Sequence, residues 1–318
     1  MARAMLFNIL KCHGSGNDFP LIDARKLSLD DAMWARVAMA LSDRSGTVGG
    51  DGILLLVDRQ DGYPFGMRMF NSDGSESETC LNGLRCVARA GFEALGIDAA
   101  RVGLKQSAAD VSRDPALAPG VYSVREVAGP VDLDVAHWPL HAGLARIVDA
   151  PVPPLGSARR FTAIAIPNPH LISFVPQVDD AELVALGTIC EAAPDWLPNR
   201  ANVSFVEVRD ADTLFVRTFE RGIGLTDSCG SAMAASTFAA CLTGRCSYDA
   251  EITVRNRGGM VRAEAGATGM VRLSGNATFE WTGTVEVDLT AATAGPVTVT
   301  GRFDGEIAAW DAVRKGLG

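Results

Sequence analysis

The sequence predicts an α+β fold with two similar halves, and three observations support this class. The chain has 318 residues, more than the roughly 100–200 of a typical single domain, so two domains with adequate cores are expected. Segments 70–95 and 219–240 repeat one arrangement, in which an apolar strand leads to a cysteine that opens an Ala-rich helix. A helix rich in small residues packs closely, which favours a helix threaded through a curled sheet.

Local patterns predict the elements of the first half in order. Alternating or continuous apolar residues indicate strands, and acidic residues ahead of an apolar stripe indicate a helix. The predicted elements are strands at 5–10, 53–57 and 66–70, glycine turns at 13–19 and 49–52, a helix over 30–41 and a helix that follows Cys80. Segment 101–131 contains short alternating stretches that predict further strands.

The second half shows the same kinds of pattern. The predicted elements are strands at 159–166, 203–208, 214–219, 252–254, 260–263, 271–273 and 278–281, with helices over 179–190, after Cys229 and over 307–313. The acidic segment 131–143 is less regular. Trp138, Pro139 and Leu140 lie between His137 and His141, and the proline makes a helical metal site implausible there. We interpret this segment as a solvent-exposed hairpin.

Composition excludes several classes of function. Seven cysteines without any Cys-x-x-Cys spacing argue against disulfides and structural zinc, so no metal is expected. The lysines, Lys11, Lys26, Lys105 and Lys315, all lie outside the repeated segments. A pyridoxal phosphate enzyme needs a Schiff-base lysine, so we expect no cofactor.

The charge balance also limits the partners. A net charge of −9 disfavours nucleic acid and anionic membranes. No apolar run is long enough to span a bilayer, and Met1 to Ala4 lead directly into a strand rather than a signal peptide. We expect a cytoplasmic protein that binds a small molecule, and the sequence leaves a homodimer open.

The repeated cysteines Cys80 and Cys229 are the candidate catalytic residues. Amide N–H groups and the dipole at a helix N-terminus stabilise an anion, so they lower the pKa of a thiol and can bind a carboxylate. Two matching thiols suit a racemase without a cofactor, because one thiolate removes an α-proton and the opposite thiol returns a proton to the other face. The alternative is that each is only a small buried residue at a helix start.

Six motifs then identify a resemblance. They are HGSGNDF (13–19), DRSGTVGGDG (43–52), FNSDGSESETCLNGLRC (70–86), PNPH (167–170), NRANVSF (199–205) and FERGIGLTDSCGS (219–231). In this order they resemble diaminopimelate epimerases, which interconvert the LL and meso isomers in lysine and peptidoglycan precursor biosynthesis without pyridoxal phosphate or metal. The resemblance implies two pseudo-symmetric domains, each a curled, mostly antiparallel, barrel-like sheet around a central helix. The expected halves are 1–133, joined by a returning segment 276–318, and 134–275, with Cys80 and Cys229 facing each other across a cleft.

The resemblance also implies a set of substrate-binding residues. These are Asn17, Asn71, Leu81, Asn82, Asn168, Asn202, Glu220, Arg221, Gly230 and Ser231. The backbone N–H groups at 81, 82, 230 and 231 would bind the carboxylate beside the reacting carbon. Arg221 would bind the distal carboxylate and Glu220 the distal ammonium, with the asparagine amides as partners. From residues alone, a Glu-Arg pair at a strand end is equally an ordinary surface pair.

Four residues depart from the family pattern, among them Ser231 in place of Thr. Leu81, Leu225 and Ala232 stand where the family has Gly, Glu and Gly, and residues after about Asp288 extend beyond the resemblance. Two alternatives therefore remain: a racemase of another amino acid, such as histidine, on the same scaffold, and a non-catalytic homologue that binds an amino acid.

Overall fold

The computed structural model describes residues 4–59 and 61–316, which form two compact units. One unit contains the described residues up to Glu126 together with those from Ser274 onward, and the other is Val127–Leu273. The helices are α1 (Asp31–Ser42), α2 (Leu81–Leu95), α3 (Asp180–Glu191), α4 (Gly230–Leu242) and α5 (Asp304–Lys315), with short 3-10 helices at Val135–His137 and Pro153–Leu155.

The strands follow the predicted order closely. The first are β1 (Ala4–Gly14), β2 (Asn17–Asp23), β3 (Gly52–Val57), β4 (Gly66–Asn71), β5 (Glu76–Ser77), β6 (Ala99–Gly103), β7 (Ala108–Asp114) and β8 (Ser123–Ala128). The middle strands are β9 (Ala150–Pro151), β10 (Arg160–Ala165), β11 (Pro169–Phe174), β12 (Asn202–Asp210), β13 (Thr213–Glu220) and β14 (Gly224–Thr226). The last are β15 (Ile252–Asn256), β16 (Gly259–Ala265), β17 (Val271–Asn276), β18 (Thr278–Asp288), β19 (Thr293–Ala294) and β20 (Thr298–Arg302).

The two units repeat one strand topology. In the first unit β1 pairs antiparallel with β2, β2 parallel with β3, β3 antiparallel with β4, β4 parallel with β6 and β6 antiparallel with β7. In the second unit β10, β11, β12, β13, β15 and β16 pair in the same order and with the same directions. Helices α1 and α3 follow the second strand of each repeat, and α2 and α4 precede the fifth.

The cysteine-led helices occupy equivalent central positions. Helix α2 packs against all six strands of its repeat, β1 to β4, β6 and β7, and α4 packs against β10 to β13, β15 and β16. Residues 81–89 and 230–241 are buried. A helix can contact six strands of one sheet only if the sheet curves around it, so the predicted arrangement of an α+β sheet around a central helix is confirmed.

Helices α1 and α3 cover the other face of each sheet. Trp34 and Leu41 of α1 share a core cluster with Phe70, and Leu183 of α3 shares one with Phe219. Residues Phe70 and Phe219 occupy equivalent places at the ends of β4 and β13, each just before the polar residue that precedes the cysteine segment. These clusters fix the strand ends that lead into the candidate site.

The prediction for segment 131–143 was wrong. It contains a short 3-10 helix instead of a hairpin, and Val135, Trp138 and Leu140 are buried in the core of the second unit. His137 is exposed, and its Nδ1 lies 2.6 Å from Asp132 Oδ2, a contact that raises the pKa of His137. The prediction of an exposed hairpin was based on the acidic residues. Burial of three apolar side chains instead stabilises a segment that packs against the unit.

Candidate active site

Each candidate catalytic cysteine stands at the start of its central helix with nearly the same backbone conformation. The φ and ψ angles are −145° and 107° at Cys80 and −132° and 113° at Cys229. Strand β4 ends at Asn71 and β13 ends at Glu220, in both cases nine residues before the cysteine. The internal repeat therefore extends to the residues that we consider for chemistry.

The helix starts also supply backbone N–H groups. The first intrahelical hydrogen bonds run from Leu84 N–H to the Cys80 carbonyl at 2.8 Å and from Met233 N–H to the Cys229 carbonyl at 3.0 Å. The amides of residues 81, 82, 230 and 231 precede these bonds, in the turn that stabilises anions. Leu81 is the first helical residue of α2 and has a negative φ, so its bulky side chain does not change the direction of its N–H.

Asn17, one of the predicted binding residues, contacts the Cys80 thiol through its side chain. The Cys80 thiol lies 3.5 Å from Asn17 Oδ1, and Cys80 Sγ also accepts from Gly83 N–H at 3.4 Å. The Asn17 Nδ2 group donates to Asp51, which itself pairs with Arg44 at 2.6 Å. Because Asp51 holds the NH₂ end of the amide, the carbonyl end is directed to the thiol.

Two glycines allow the close approaches around Asn17. Gly52 has a φ of +156°, and a Cβ there would lie 2.3 Å from the Phe70 carbonyl oxygen. A Cβ on Gly14 would lie 2.5 Å from the Asn82 carbonyl oxygen. Gly14 thus lets the turn before Asn17 lie against the first turn of α2, and Gly52 lets the start of β3 lie against the end of β4. A larger residue at either position would prevent the approach.

A buried arginine lies behind the start of α2. Arg85 donates to Asn82 Oδ1 at 2.7 Å and to Glu126 Oε1 at 2.7 Å, and the side chains of Arg85 and Glu126 are fully buried. Burial raises the pKa of Glu126 to about 7, although Arg85 acts in the opposite direction. The Asn82 side chain is therefore held within the unit through its Oδ1.

The second unit joins five predicted residues and one further residue in a continuous hydrogen-bond chain. Arg221 Nη2 donates to Asn168 Oδ1 at 3.4 Å, and Arg221 N–H donates to Asn202 Oδ1 at 2.8 Å. His170 continues the chain, because its Nε2 lies 3.5 Å from Asn202 Nδ2 and 3.1 Å from Ser231 Oγ. Ser231 Oγ lies 3.5 Å from Cys229 Sγ. The chain thus connects the arginine to the thiol.

The orientation of the Asn202 amide defines the protonation of His170. Since Asn202 Oδ1 accepts from Arg221 N–H, its Nδ2 faces His170 Nε2, which must therefore be an acceptor. The proton of the neutral ring is then on Nδ1, a buried atom without a partner among the described residues. Burial, and secondarily the charge of Arg221, lower the pKa of His170 to about 3, so the ring is neutral near pH 7.

The three remaining predicted residues lie at the ends of secondary-structure elements. Asn71 donates from Nδ2 to Ser75 Oγ at 3.0 Å in the hairpin that follows β4, and Glu220 ends β13 opposite Gly224. Gly230 is the buried first residue of α4. Of the departures from the family pattern, Leu225 packs against the core of the second unit and Ala232 is fully buried in α4.

Sequence reasoning missed three side chains that support the site: His170, Asp51 and Arg85. Each belongs to a motif that the sequence had already marked, but Asp51 was interpreted only as part of a glycine turn. The signal for His170 was its position beside Asn168, at the start of a strand. Nothing in the local sequence of α2 distinguishes Arg85 from an exposed helical arginine.

The described part of the chain also limits what the site can hold. Within residues 4–59 and 61–316, no three His, Cys, Asp or Glu side chains are grouped so that they could bind a metal ion. No helix in these ranges is long and apolar enough to cross a membrane. All seven cysteines are free thiols.

Solved structures share the fold of this chain. One is a predicted epimerase from Pseudomonas aeruginosa, 17% identical, with a TM-score of 0.59 over 87% of this chain and 98% of that one. Another is a hydroxyproline epimerase from Agrobacterium vitis, 14% identical, with a TM-score of 0.63 over 91% and 94% of the two chains. At these identities the likeness establishes a shared epimerase-type fold.

Closer relatives and a family profile are more specific. The family profile described as diaminopimelate epimerase matches residues 9–111 and 162–280. The diaminopimelate epimerase of Clostridium acetobutylicum is 40% identical over 287 residues, which cover 88% of this chain and 86% of that one. That of Enterococcus faecalis is 37% identical over 280 residues, 85% and 86% of the two chains. The chain belongs to the diaminopimelate epimerase family, and it is an isomerase.

Proposed function

We propose that this enzyme interconverts LL- and meso-2,6-diaminopimelate by a two-base mechanism in which Cys80 and Cys229 are the catalytic residues. The observation that carries the proposal is the equivalence of the two thiols, each at the N-terminus of the central helix of a repeated sheet. Relatives at 35–40% identity that are named diaminopimelate epimerase support the choice of substrate. The pathway served would be lysine and peptidoglycan precursor biosynthesis.

The proposed chemistry begins with proton transfer from carbon to sulfur. One cysteine, as the thiolate, takes the α-proton, the electron pair remains on the α-carbon and its carboxylate, and the thiol of the other cysteine gives a proton to the opposite face. The α-proton is only weakly acidic, so the developing negative charge must be stabilised. The N–H groups of residues 81, 82, 230 and 231 would supply that stabilisation at two helix N-termini.

Arg221 is the proposed binding group for the distal carboxylate. Its guanidinium is already oriented by Asn168 Oδ1 and by the Asn199 carbonyl, to which Nη1 donates at 3.0 Å. A planar guanidinium can bind a carboxylate through two parallel hydrogen bonds. We assign Glu220, at the end of the same strand, to the distal ammonium group.

The proposal of diaminopimelate rather than a smaller amino acid depends on this second set of polar groups. A substrate without a second amino-acid head would leave Arg221, Asn168 and Glu220 without their ligand, at a cost in binding. Asn17 and Asn71 in the first unit are proposed amide partners for the substrate, with Asn202 in the second. In a racemase of another amino acid, these polar side chains would have to bind a different chemical group of the substrate.

Two further points belong to the proposal. We assign the two bases to separate halves of the chain, 1–133 with 276–318 and 134–275, which must bring both thiols to one carbon in the working enzyme.

We also propose a cytoplasmic enzyme, in keeping with a substrate that is a biosynthetic intermediate. A homodimer is compatible with these assignments.

The test uses solvent deuterium and single-cysteine variants. Cys80→Ala and Cys229→Ala should both lose net epimerisation, since each leaves one face of the α-carbon without an acid or base. The remaining thiol should still exchange the α-hydrogen of one isomer, and the two variants should prefer opposite isomers. Cys190→Ala, which removes a buried thiol of α3, is the control and should epimerise normally. Exchange of the same isomer by both variants would contradict the two-base assignment.

A panel of amino acids scored by chiral chromatography tests the substrate separately. Diaminopimelate should be converted, and histidine or proline should not. Conversion of a smaller amino acid at comparable kcat/KM would favour the alternative racemase. Binding without any conversion or exchange would favour the non-catalytic homologue.

A further inference from the structure

The C-terminal helix α5 lies outside the family match yet is anchored in the core of the first unit. The family profile ends at residue 280, and α5 spans Asp304–Lys315. Trp310 of this helix is 2% exposed and is the largest fully buried side chain among the described residues. A terminal extension without a role in the fold would not need so large an anchor.

One contact of α5 reaches the cysteine-led helix α2. Nη1 and Nη2 of Arg89 donate to the Glu306 carboxylate, at 2.5 and 2.8 Å. Glu306 also accepts from Phe279 N–H at 3.2 Å, and the Arg89 guanidinium lies 3.8 Å from the centre of the Phe279 ring. The ion pair is largely withdrawn from water, with the Arg89 side chain 7% exposed and that of Glu306 22% exposed, so it holds α2 with little competition from solvent.

The second contact reaches the glycine turn that carries Asn17. The ring of Trp310 packs against the ring of His13, with 5.9 Å between centres. Asn276 Nδ2 donates to His13 Nδ1 at 3.2 Å, and Asn276 Oδ1 accepts from Ser15 N–H at 2.7 Å. Ser15 has a φ of +52°, a conformation that a residue with a side chain adopts only when its surroundings hold it there.

Each of these two contacts joins α5 to an element that leads to Cys80. The turn from His13 to Asn17 ends at the amide whose oxygen lies 3.5 Å from the thiol, and α2 begins at that thiol. We propose that α5 is a positioning element of the Cys80 half-site, in which Trp310 holds the glycine turn and Glu306 holds the helix. This inference rests on the proposed function, because it assigns α5 to one of the two bases of that reaction.

The experiment measures the two thiols separately. Trp310→Leu and Glu306→Gln are each made in the Cys229→Ala background, where exchange reports on Cys80, and in the Cys80→Ala background, where it reports on Cys229. Loss of one positioning contact should lower Cys80-dependent exchange of the preferred isomer at least about fivefold, equivalent to about 1 kcal/mol. Cys229-dependent exchange should stay within about twofold, and Trp310→Phe, which keeps an aromatic ring, should restore most of the lost Cys80 exchange.

Alkylation by iodoacetamide gives a second readout that does not require turnover. Peptide mass spectrometry on the Trp310 and Glu306 variants with both thiols present should show a changed alkylation rate for Cys80 and an unchanged rate for Cys229. If wild type failed to epimerise diaminopimelate, the proposed function would fail, but the alkylation rates would still test the positioning role of α5.

Matched controls separate positioning from loss of stability. Leu155→Ala removes a buried side chain from the core of the second unit, and Lys315→Ala removes an exposed side chain from α5 itself. Neither should affect Cys80 selectively. The proposal is overturned if Trp310→Leu and Glu306→Gln slow both thiols equally, as Leu155→Ala would through unfolding, or if they leave Cys80 exchange and alkylation unchanged.

Discussion

The backbone N–H of Arg221 donates a 2.8 Å hydrogen bond to the side-chain Oδ1 of Asn202. One buried amide thereby holds the proposed distal-carboxylate residue with its oxygen and faces His170 with its nitrogen. Asn202 thus links Arg221 to His170, which contacts Ser231 beside Cys229.

Arg221→Lys should reduce activity although the positive charge is kept. A lysine cannot form the two parallel bonds to a carboxylate, and a hydrogen bond to a charged group contributes roughly 1.5–3 kcal/mol, so kcat/KM for diaminopimelate should fall about 10- to 150-fold. The control is Arg209→Lys on β12, where exposed Arg209 pairs with Glu207. This change should leave kcat/KM unaltered. Near-normal kcat/KM in Arg221→Lys would remove the distal-carboxylate role.

Asn202→Asp should be destabilising even though the two side chains have the same shape. The carboxylate can still accept from Arg221 N–H, but it presents an acceptor to His170 Nε2, where Asn202 presents a donor. An unsatisfied buried polar contact costs about 1–3 kcal/mol, so the free energy of unfolding in urea should fall by that amount at pH 7. The companion change His170→Ala should lessen the penalty in a double-mutant cycle. An unchanged stability of Asn202→Asp would mean that the amide does not donate to His170.

Ser231→Ala should slow exchange at Cys229 selectively. The Ser231 hydroxyl lies between Cys229 Sγ and His170 Nε2, and its loss leaves the thiol without that neutral hydrogen-bond partner, worth roughly 0.5–1.5 kcal/mol. Exchange of the isomer served by Cys229 should therefore fall about two- to tenfold, and exchange through Cys80 should not change. Ser231→Thr retains the hydroxyl and should retain the rate. If Thr and Ala variants behaved alike, the hydroxyl would have no part in the reaction.

Glu126→Gln should change how stability depends on pH. The pKa of Glu126 is raised to about 7 in the folded protein from an ordinary value of 4.5. Between these values the folded state binds the proton and the unfolded state does not, so this residue makes stability fall as pH rises from about 4.5 to 7. The slope approaches about 1.4 kcal/mol per pH unit at most. Urea unfolding at a series of pH values should show wild type losing stability relative to Glu126→Gln across this window, and a constant difference would contradict the raised pKa.

Much of the fold and part of the site could be predicted from local sequence. Cys80 and Cys229 were recognisable because a cysteine followed by small, helix-forming residues marks a helix start, and the nine-residue interval from the strand end repeats. Asn17 and Arg221 lie in motifs whose order along the chain carries the family resemblance. These features are local, so short segments contain the information that defines them.

Other features are decided only when distant segments fold together. Segment 131–143 looked like an exposed hairpin because of its acidic residues, yet burial of Val135, Trp138 and Leu140 decides its structure. Local sequence cannot show which side of a segment meets a core that is built from strands elsewhere in the chain. The free energy of that burial is a property of the assembled unit.

By itself, the sequence determined the repeated helix starts, the two thiols and the family to which they belong, because helix capping and motif spacing operate over a few residues. The tertiary structure alone decided that Ser231 lies between Cys229 and His170, that Arg85 is buried with Glu126, and that Trp310 packs on His13. Trp310 and His13 are almost 300 residues apart in the chain. Their contact depends on strands β1 and β18 pairing from opposite ends of the sequence, since that pairing places α5 beneath the glycine turn.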